Sequence, residues 1–310
     1  MNLGFCGTPS FAVPALEKLV EAGHTVALVV TQPDRPRGRG MELTPSPVKL
    51  RALELGLEVT QPDKIRNNDS LRNRLTVIHP DAIIVVGYGR IIPQWMLELP
   101  RLGNINLHAS LLPKYRGAAP IQWAIANGET TTGVTTMRID EGLDTGDILL
   151  QRKVGISPED TAETLAPRLA GIGADLIVET LRHLDCGTLQ PRPQDQATAT
   201  LAPILKKEDG RIDWRRPAPE ILNRLRGFQP WPGAFTSFHG KNFHIWSAAP
   251  VERQLAPGEL ATDGNSLLVG CGSTTALVLI EVQPEGKKRM PVRDFVHGYR
   301  PRSGERLGEP

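Results

Sequence analysis

Short apolar runs alternate with amphipathic segments over about the first two thirds of the chain. The apolar runs, rich in β-branched residues, predict strands at residues 2–6, 25–31, 82–86 and 104–107. Apolar residues at helical spacing, with proline near several starts, predict helices at residues 14–22, 47–55, 70–78 and 121–127. Continuously apolar strands are covered on both faces, so the pattern predicts an α/β class with a Rossmann-like, mostly parallel sheet.

The pattern changes further along the chain. Runs at 133–137 and 148–154 predict a pair of strands that extends the sheet, and 161–184 predicts one long helix. A helix at 218–227 and short strands with glycine turns downstream are typical of a small barrel or sandwich. Between these parts the composition turns to Gly, Pro, Gln, Thr and Ala. We therefore predict a first domain over residues 1–184, a linker over 185–205 and a second domain over 206–310.

Charge and cysteine content exclude several classes of protein. The 310 residues carry a net charge of +2, which is too balanced for a disordered polyelectrolyte. Residues 206–310 hold 16 basic and 12 acidic side chains, a modest asymmetry that indicates an anionic partner for the second domain, with a solvated surface as a nearly equal alternative. The three cysteines Cys6, Cys186 and Cys271 are far apart, as expected of reduced thiols. The sequence shows no signal peptide or membrane-spanning run, so we expect a cytoplasmic protein.

The turn after the first predicted strand argues against a dinucleotide site. It holds a single glycine, Gly7, where the dinucleotide-binding fingerprint needs three. A nicotinamide-dependent oxidoreductase is therefore disfavoured.

The strongest chemical signal is at the end of the strand predicted at 104–107. Asn106 and His108 alternate there, so both side chains point to one face at the carboxyl edge of the sheet, where α/β folds place their sites. An amide donor beside an imidazole can stabilise an oxyanion. The alternative is a structural asparagine and a satisfied core histidine.

Two polar loops add further candidates. Asp140, Glu141, Asp144 and Asp147 lie on one glycine turn, where one carboxylate is a candidate proton carrier and the alternative is a solvated acidic turn. The loop TQPDRPRGRG carries three arginines and is followed by a lysine. This composition is compatible with contact to a phosphate backbone and, equally, with a loop that is only solvated. These basic residues are Arg35, Arg37, Arg39 and Lys49.

Together, five segments resemble the methionyl-tRNA formyltransferase family. They are FCGTPSFA, TQPDRPRGRG, NINLHASLLPKYRGAAPIQWAI, GLDTGD and RIDWRRPAPEILNRLRGFQPWPGAFT. The resemblance covers nearly the whole chain. The NxHxSLLP and LDTG elements also occur in folate-dependent formyltransferases that act on glycinamide ribonucleotide or amino sugars, so they indicate only the reaction. The arginine loop and the carboxyl-terminal extension indicate a tRNA substrate.

The resemblance implies a set of roles for residues of this chain. It implies formyl transfer from 10-formyltetrahydrofolate to initiator methionyl-tRNA without a metal, by a monomer whose second domain is an OB-like barrel that contacts the acceptor stem. The implied catalytic residues are Asn106, His108 and Asp144. The implied folate contacts are Gly87, Tyr88, Gly89, Ser110, Leu111, Leu112 and Pro113. The implied tRNA contacts are Arg35, Arg37, Arg39 and Lys49, with Arg39 the best single candidate.

Two other functions remain as alternatives. The first keeps the reaction and changes the acceptor to an amino sugar or a ribonucleotide, and it predicts activity without tRNA. The second is a noncatalytic RNA-binding protein, for which an aromatic content of 5% offers few stacking residues.

Overall fold

The computed structural model describes residues 1–37 and 42–309, with only the backbone of Arg37. The chain folds into two compact units. The first unit comprises Met1–Gly117, Thr131–Gly155 and Ala166–Ala202. The second comprises Ala118–Thr130, Ile156–Leu165 and Pro203–Pro310.

The first unit is built on a seven-stranded sheet. Its strands are β1 (Asn2–Gly7), β2 (Thr25–Val30), β5 (Val59–Thr60), β6 (Ala82–Val86), β7 (Asn104–His108), β8 (Thr131–Arg138) and β9 (Ile148–Gly155). Their order is β5-β2-β1-β6-β7-β8-β9. The first five run parallel, whereas β8 and β9 add to the edge as antiparallel strands. The predicted α/β class with a mostly parallel sheet is confirmed, and β7 lies where the parallel and antiparallel parts meet.

Part of the arginine-rich segment TQPDRPRGRG forms a strand rather than an irregular loop. In a separate two-stranded sheet, β3 (Arg35–Arg37) pairs antiparallel with β4 (Glu42–Thr44). Strands of three residues carry too little periodicity to be seen in the sequence. Arg39 lies outside the described residues.

Several helices of the first unit begin at a proline or at a side chain that caps the first turn. They are α1 (Val13–Glu21), α2 (Pro47–Glu54), α3 (Asp69–Ile78), α4 (Gln94–Leu97) and most of α6 (Ala162–Asp185). The Ser46 hydroxyl accepts from the Lys49 amide at the start of α2, and the Asn68 amide oxygen caps α3 in the same way. Helix α6 packs closely on β7, since a Cβ at Gly173 would lie 2.7 Å from Leu107 Cδ2.

The second unit combines an antiparallel sheet with three helices. Its strands are β10 (Ala234–Phe238), β11 (Lys241–Val251), β12 (Leu260–Asp263), β13 (Ser266–Gly270), β14 (Ala276–Pro284) and β15 (Met290–Pro291). Its helices are α5 (Pro120–Ala126), α7 (Ala218–Gly227) and α8 (Val292–Tyr299). The fully buried Phe243 and Phe295 lie together at the centre of its core. In the described part of the chain, no helix is long and apolar enough to cross a membrane.

Candidate active site

Asn106 presents an unpaired amide at the end of the parallel sheet. It lies on β7 between Val85 of β6 and Met137 of β8, and it is half-buried. Its side chain makes no hydrogen bond with any residue in ranges 1–37 and 42–309. By contrast, the side chain of Asn104, two positions earlier, donates to the Met96 carbonyl at 2.8 Å. The Asn106 amide is therefore available to a ligand.

His108 is held by a main-chain carbonyl. The ring is buried, with 6% of the side chain exposed, and its Nε2 lies 2.8 Å from the Tyr115 oxygen. A carbonyl only accepts, so Nε2 carries the hydrogen in this bond. The other nitrogen, Nδ1, faces Asp144 Oδ2 at 3.6 Å.

Asp144 approaches His108 from the turn between β8 and β9. Its Oδ2 accepts from the Gly117 amide at 2.9 Å, and its backbone has a left-handed φ of 51°. Asp140, in the same turn, instead accepts from the Gly142 amide and the Thr145 hydroxyl. Of the four clustered carboxylates, Asp144 is thus the one that the structure brings to the histidine.

The segment after β7 is tied to the two antiparallel strands. The Thr135 hydroxyl donates to the Ser110 carbonyl at 2.6 Å and accepts from the Leu112 amide at 3.2 Å. The Gln151 side-chain amide donates to the Leu112 carbonyl at 2.8 Å. These bonds fix the main chain of the segment Ser110–Pro113 beside the Asn106 and His108 positions. Neither Thr135 nor Gln151 was predicted from the sequence.

The loop after β6 presents its main chain rather than the Tyr88 side chain. The Tyr88 ring is buried, with 2% exposed, in the core formed around Cys6 and Ile83, and burial raises the pKa of its hydroxyl. Its carbonyl accepts from the Gln32 side chain at 3.0 Å. Gly87 has a φ of 56°, and a Cβ there would lie 2.8 Å from Pro9 Cγ. Any ligand contact of Tyr88 must therefore use backbone atoms.

The basic residues of the predicted tRNA surface differ in their partners. Lys49 Nζ lies 2.6 Å from Asp34 Oδ2, and Gln61 donates to the other oxygen of that carboxylate at 2.7 Å. The lysine and glutamine bonds lower the pKa of Asp34. Arg35 is exposed and has no side-chain partner within the described residues. Arg37 is described only in its backbone.

Comparison with known proteins places these residues in a family. Residues 1–181 match the family described as Formyl transferase, and residues 204–300 match the family described as Formyl transferase, C-terminal domain. A protein named methionyl-tRNA formyltransferase from Koribacter versatilis (strain Ellin345) is 68% identical over 308 residues, which is 99% of each chain.

Solved structures share the fold at much lower identity. HypX from Aquifex aeolicus in complex with tetrahydrofolic acid has a TM-score of 0.63 at 20% identity, covering 95% of this chain and 46% of that one. An N-formyltransferase from Helicobacter canadensis, in complex with folinic acid and dTDP-3-aminofucose, has a TM-score of 0.65 at 19% identity, covering 91% and 98%. With the full-length match to a relative of high identity, these findings confirm the resemblance found in the sequence: the chain belongs to the methionyl-tRNA formyltransferase family.

Proposed function

We propose that this enzyme transfers the formyl group of 10-formyltetrahydrofolate to the free amino group of methionyl initiator tRNA. The observation that carries the proposal is the free amide of Asn106 on the same face of β7 as His108, whose ring faces Asp144 at 3.6 Å. This arrangement lies within a chain that matches a named methionyl-tRNA formyltransferase over 99% of its length. We expect a cytoplasmic monomer.

Each of the three residues has a role in the transfer. As the amine nitrogen bonds to the formyl carbon, the carbonyl oxygen gains negative charge, and the Asn106 amide donates a hydrogen bond to it. The Nε2 hydrogen of His108 is already bound to the Tyr115 carbonyl. We therefore assign the second contact with that oxygen to Nδ1 of His108 in the doubly protonated imidazolium form, in which Nδ1 also carries a hydrogen and donates it.

Asp144 is the group to which we assign the proton transfers of the reaction. The attacking amine must lose a proton, and the folate nitrogen must gain one when its bond to the formyl carbon breaks. The Asp144 carboxylate, fixed by the Gly117 amide, accepts the first proton and returns it, directly or through water. The transfer is then balanced without any other reactant.

The folate contacts would come mostly from main-chain atoms. The segment Ser110–Pro113 and the loop Gly87–Gly89 follow the carboxyl ends of β7 and β6, which are neighbouring parallel strands. Two structures with the same fold hold tetrahydrofolic acid or folinic acid, which supports a folate site in this chain.

The tRNA contacts would come from basic residues on and near the paired strands β3 and β4. Arg35 is exposed and free of a carboxylate among the described residues, so it is open to a phosphate. Lys49 already neutralises Asp34, so we expect a smaller contribution from it. Arg37 and Arg39 extend the same basic segment in the sequence.

Transfer of labelled formyl from 10-formyltetrahydrofolate tests the proposal. Methionyl initiator tRNA, methionyl elongator tRNA and an amino-sugar nucleotide are compared as acceptors. Strong preference for the initiator tRNA supports the proposed substrate. Formylation of the sugar nucleotide alone would show that the acceptor is an amino sugar and not tRNA. Transfer to none of the three acceptors would refute the proposed function.

A further inference from the structure

A glutamine far along the chain holds the main chain of Asp144. Gln194 is buried, with 7% exposed, in the segment predicted as a linker. Its Nε2 donates to the Asp144 carbonyl at 2.9 Å and to the Gly146 carbonyl at 2.7 Å. Both hydrogens of the side-chain amide are thus used on the turn that carries Asp144.

The other end of the same amide binds a buried arginine. Gln194 Oε1 accepts from Arg116 Nε at 3.0 Å and from Nη2 at 2.7 Å. A guanidinium only donates and carbonyls only accept, so the orientation of the glutamine amide is fixed. Arg116 Nη1 donates to Gln196 Oε1 at 2.8 Å. Within the described residues no carboxylate pairs with Arg116, although it is only 6% exposed.

Arg116 belongs to the turn that fixes both His108 and Asp144. The Tyr115 carbonyl accepts from His108, and the Gly117 amide donates to the Asp144 carboxylate. Gln194 therefore joins two structures: the turn at residues 115–117 and the main chain of Asp144. A buried charge whose partners are two neutral amides is costly in energy, so the arrangement is better explained by geometry than by stability.

We propose that Gln194 is a positioning residue, which sets the main chain of Asp144 so that its carboxylate faces His108. This inference rests on the proposed function. Gln194 reaches the reaction only through Asp144 and Arg116, so its loss should slow the chemical step without weakening the binding of either substrate. A misplacement of about 1 Å at a catalytic group lowers turnover by up to about 100-fold.

Two substitutions separate this role from simple packing. Gln194→Glu keeps the volume and gives Arg116 a carboxylate, but turns an acceptor oxygen toward the Asp144 and Gly146 carbonyls. Gln194→Met keeps the approximate length and removes every hydrogen bond. Gln196→Ala is the matched control, because Gln196 also accepts from Arg116 but is exposed and makes no hydrogen bond to the Asp144 turn within the described residues.

The measurements are kcat and both KM values for formyl transfer, with thermal melting of each variant. We expect kcat to fall about 10- to 100-fold in Gln194→Glu and Gln194→Met, with both KM values within threefold of wild type. Gln196→Ala should keep kcat within twofold. Because the glutamate variant retains a partner for Arg116, it remains a folded test if the methionine variant unfolds.

Three results would overturn the inference. They are a Gln194→Glu variant with near-normal kcat, a loss confined to KM, and an equal loss in Gln196→Ala. If the wild-type enzyme formylates methionyl initiator tRNA, any of these three results refutes the positioning role of Gln194 and leaves the proposed function intact. A wild-type protein without transfer activity refutes the proposed function instead.

Discussion

The hydroxyl of Thr135 is predicted to be a large local source of stability. Thr135 is fully buried on β8, donates to the Ser110 carbonyl and accepts from the Leu112 amide. Thr135→Val removes the hydroxyl and nearly preserves the shape. The Ser110 carbonyl and the Leu112 amide then lose the only hydrogen-bond partner found for either in the described part of the chain.

The expected magnitude follows from those two groups. A buried polar group left without a partner costs about 1–3 kcal/mol, and the added methyl returns about 0.8 kcal/mol. For the two groups together we therefore expect the free energy of unfolding to fall by about 1–5 kcal/mol. Thr132→Val is the matched control, since Thr132 lies on the same strand, is 3% exposed and has no hydroxyl hydrogen bond with a described residue.

Denaturant unfolding at constant m-value and amide hydrogen exchange at Leu112 measure the effect. Amide exchange at Leu112 reports on local opening of the first unit, so this measurement does not depend on the unfolding of the second unit. We expect faster exchange at Leu112 in Thr135→Val and near-wild-type exchange in Thr132→Val. Equal destabilisation by the two substitutions would show that the hydroxyl network contributes little, and the reasoning from unsatisfied groups would be wrong.

Three further predictions follow from single side chains. Asn106→Ala should lower kcat about 100- to 1,000-fold by loss of an oxyanion donor, and because this amide has no partner among described residues the melting temperature should barely change. Near-normal kcat would contradict the assignment. Burial raises the pKa of the Cys6 and Cys271 thiols to about 12, so a thiol reagent at pH 8 should label exposed Cys186 first, and rapid labelling of all three would contradict the burial. The pKa of Asp34 is lowered by its lysine and glutamine partners, so its stabilisation is present above the ordinary carboxyl pKa and is lost as pH falls through the folded value. The melting temperatures of wild type and Asp34→Asn should therefore converge in acid. A difference between them that grows as pH falls would contradict the predicted pH dependence.

Local patterns in the sequence were sufficient for the elements that hold the site. The alternation of Asn106 and His108 within β7 is a property of any strand, so their shared face could be predicted before the structure. The same holds for the long helix, predicted over 161–184 and observed as Ala162–Asp185. The residues alone left open which acidic side chain meets the histidine. The structure selects Asp144 because the β8–β9 turn returns to the end of β7.

Contacts between distant segments could not be predicted in this way. Gln194 meets Asp144 across 50 positions of sequence, and the segment that contains it has neither helical nor strand periodicity. Tyr88 shows the opposite difficulty. The family resemblance implies a folate contact at Tyr88 but does not show which of its atoms would make it, and the chain turns at Gly87 and carries the ring into the core. The contact of Gln194 with Asp144 and the burial of the Tyr88 ring both depend on tertiary packing, which the spacing of hydrophobic residues along the sequence does not show.

The turn at residues 115–117 explains how the site keeps its geometry. Tyr115 and Asp144 both adopt left-handed backbone conformations, with φ of 62° and 51°, which cost about 1–3 kcal/mol each in residues other than glycine. Such conformations persist only where surrounding bonds determine them. Here the surrounding bonds are the ones that orient the chemistry, since Tyr115 accepts from His108 and Gly117 donates to Asp144. The relative position of the imidazole and the carboxylate is therefore set by one turn, while the amide of Asn106 is left free for the substrate.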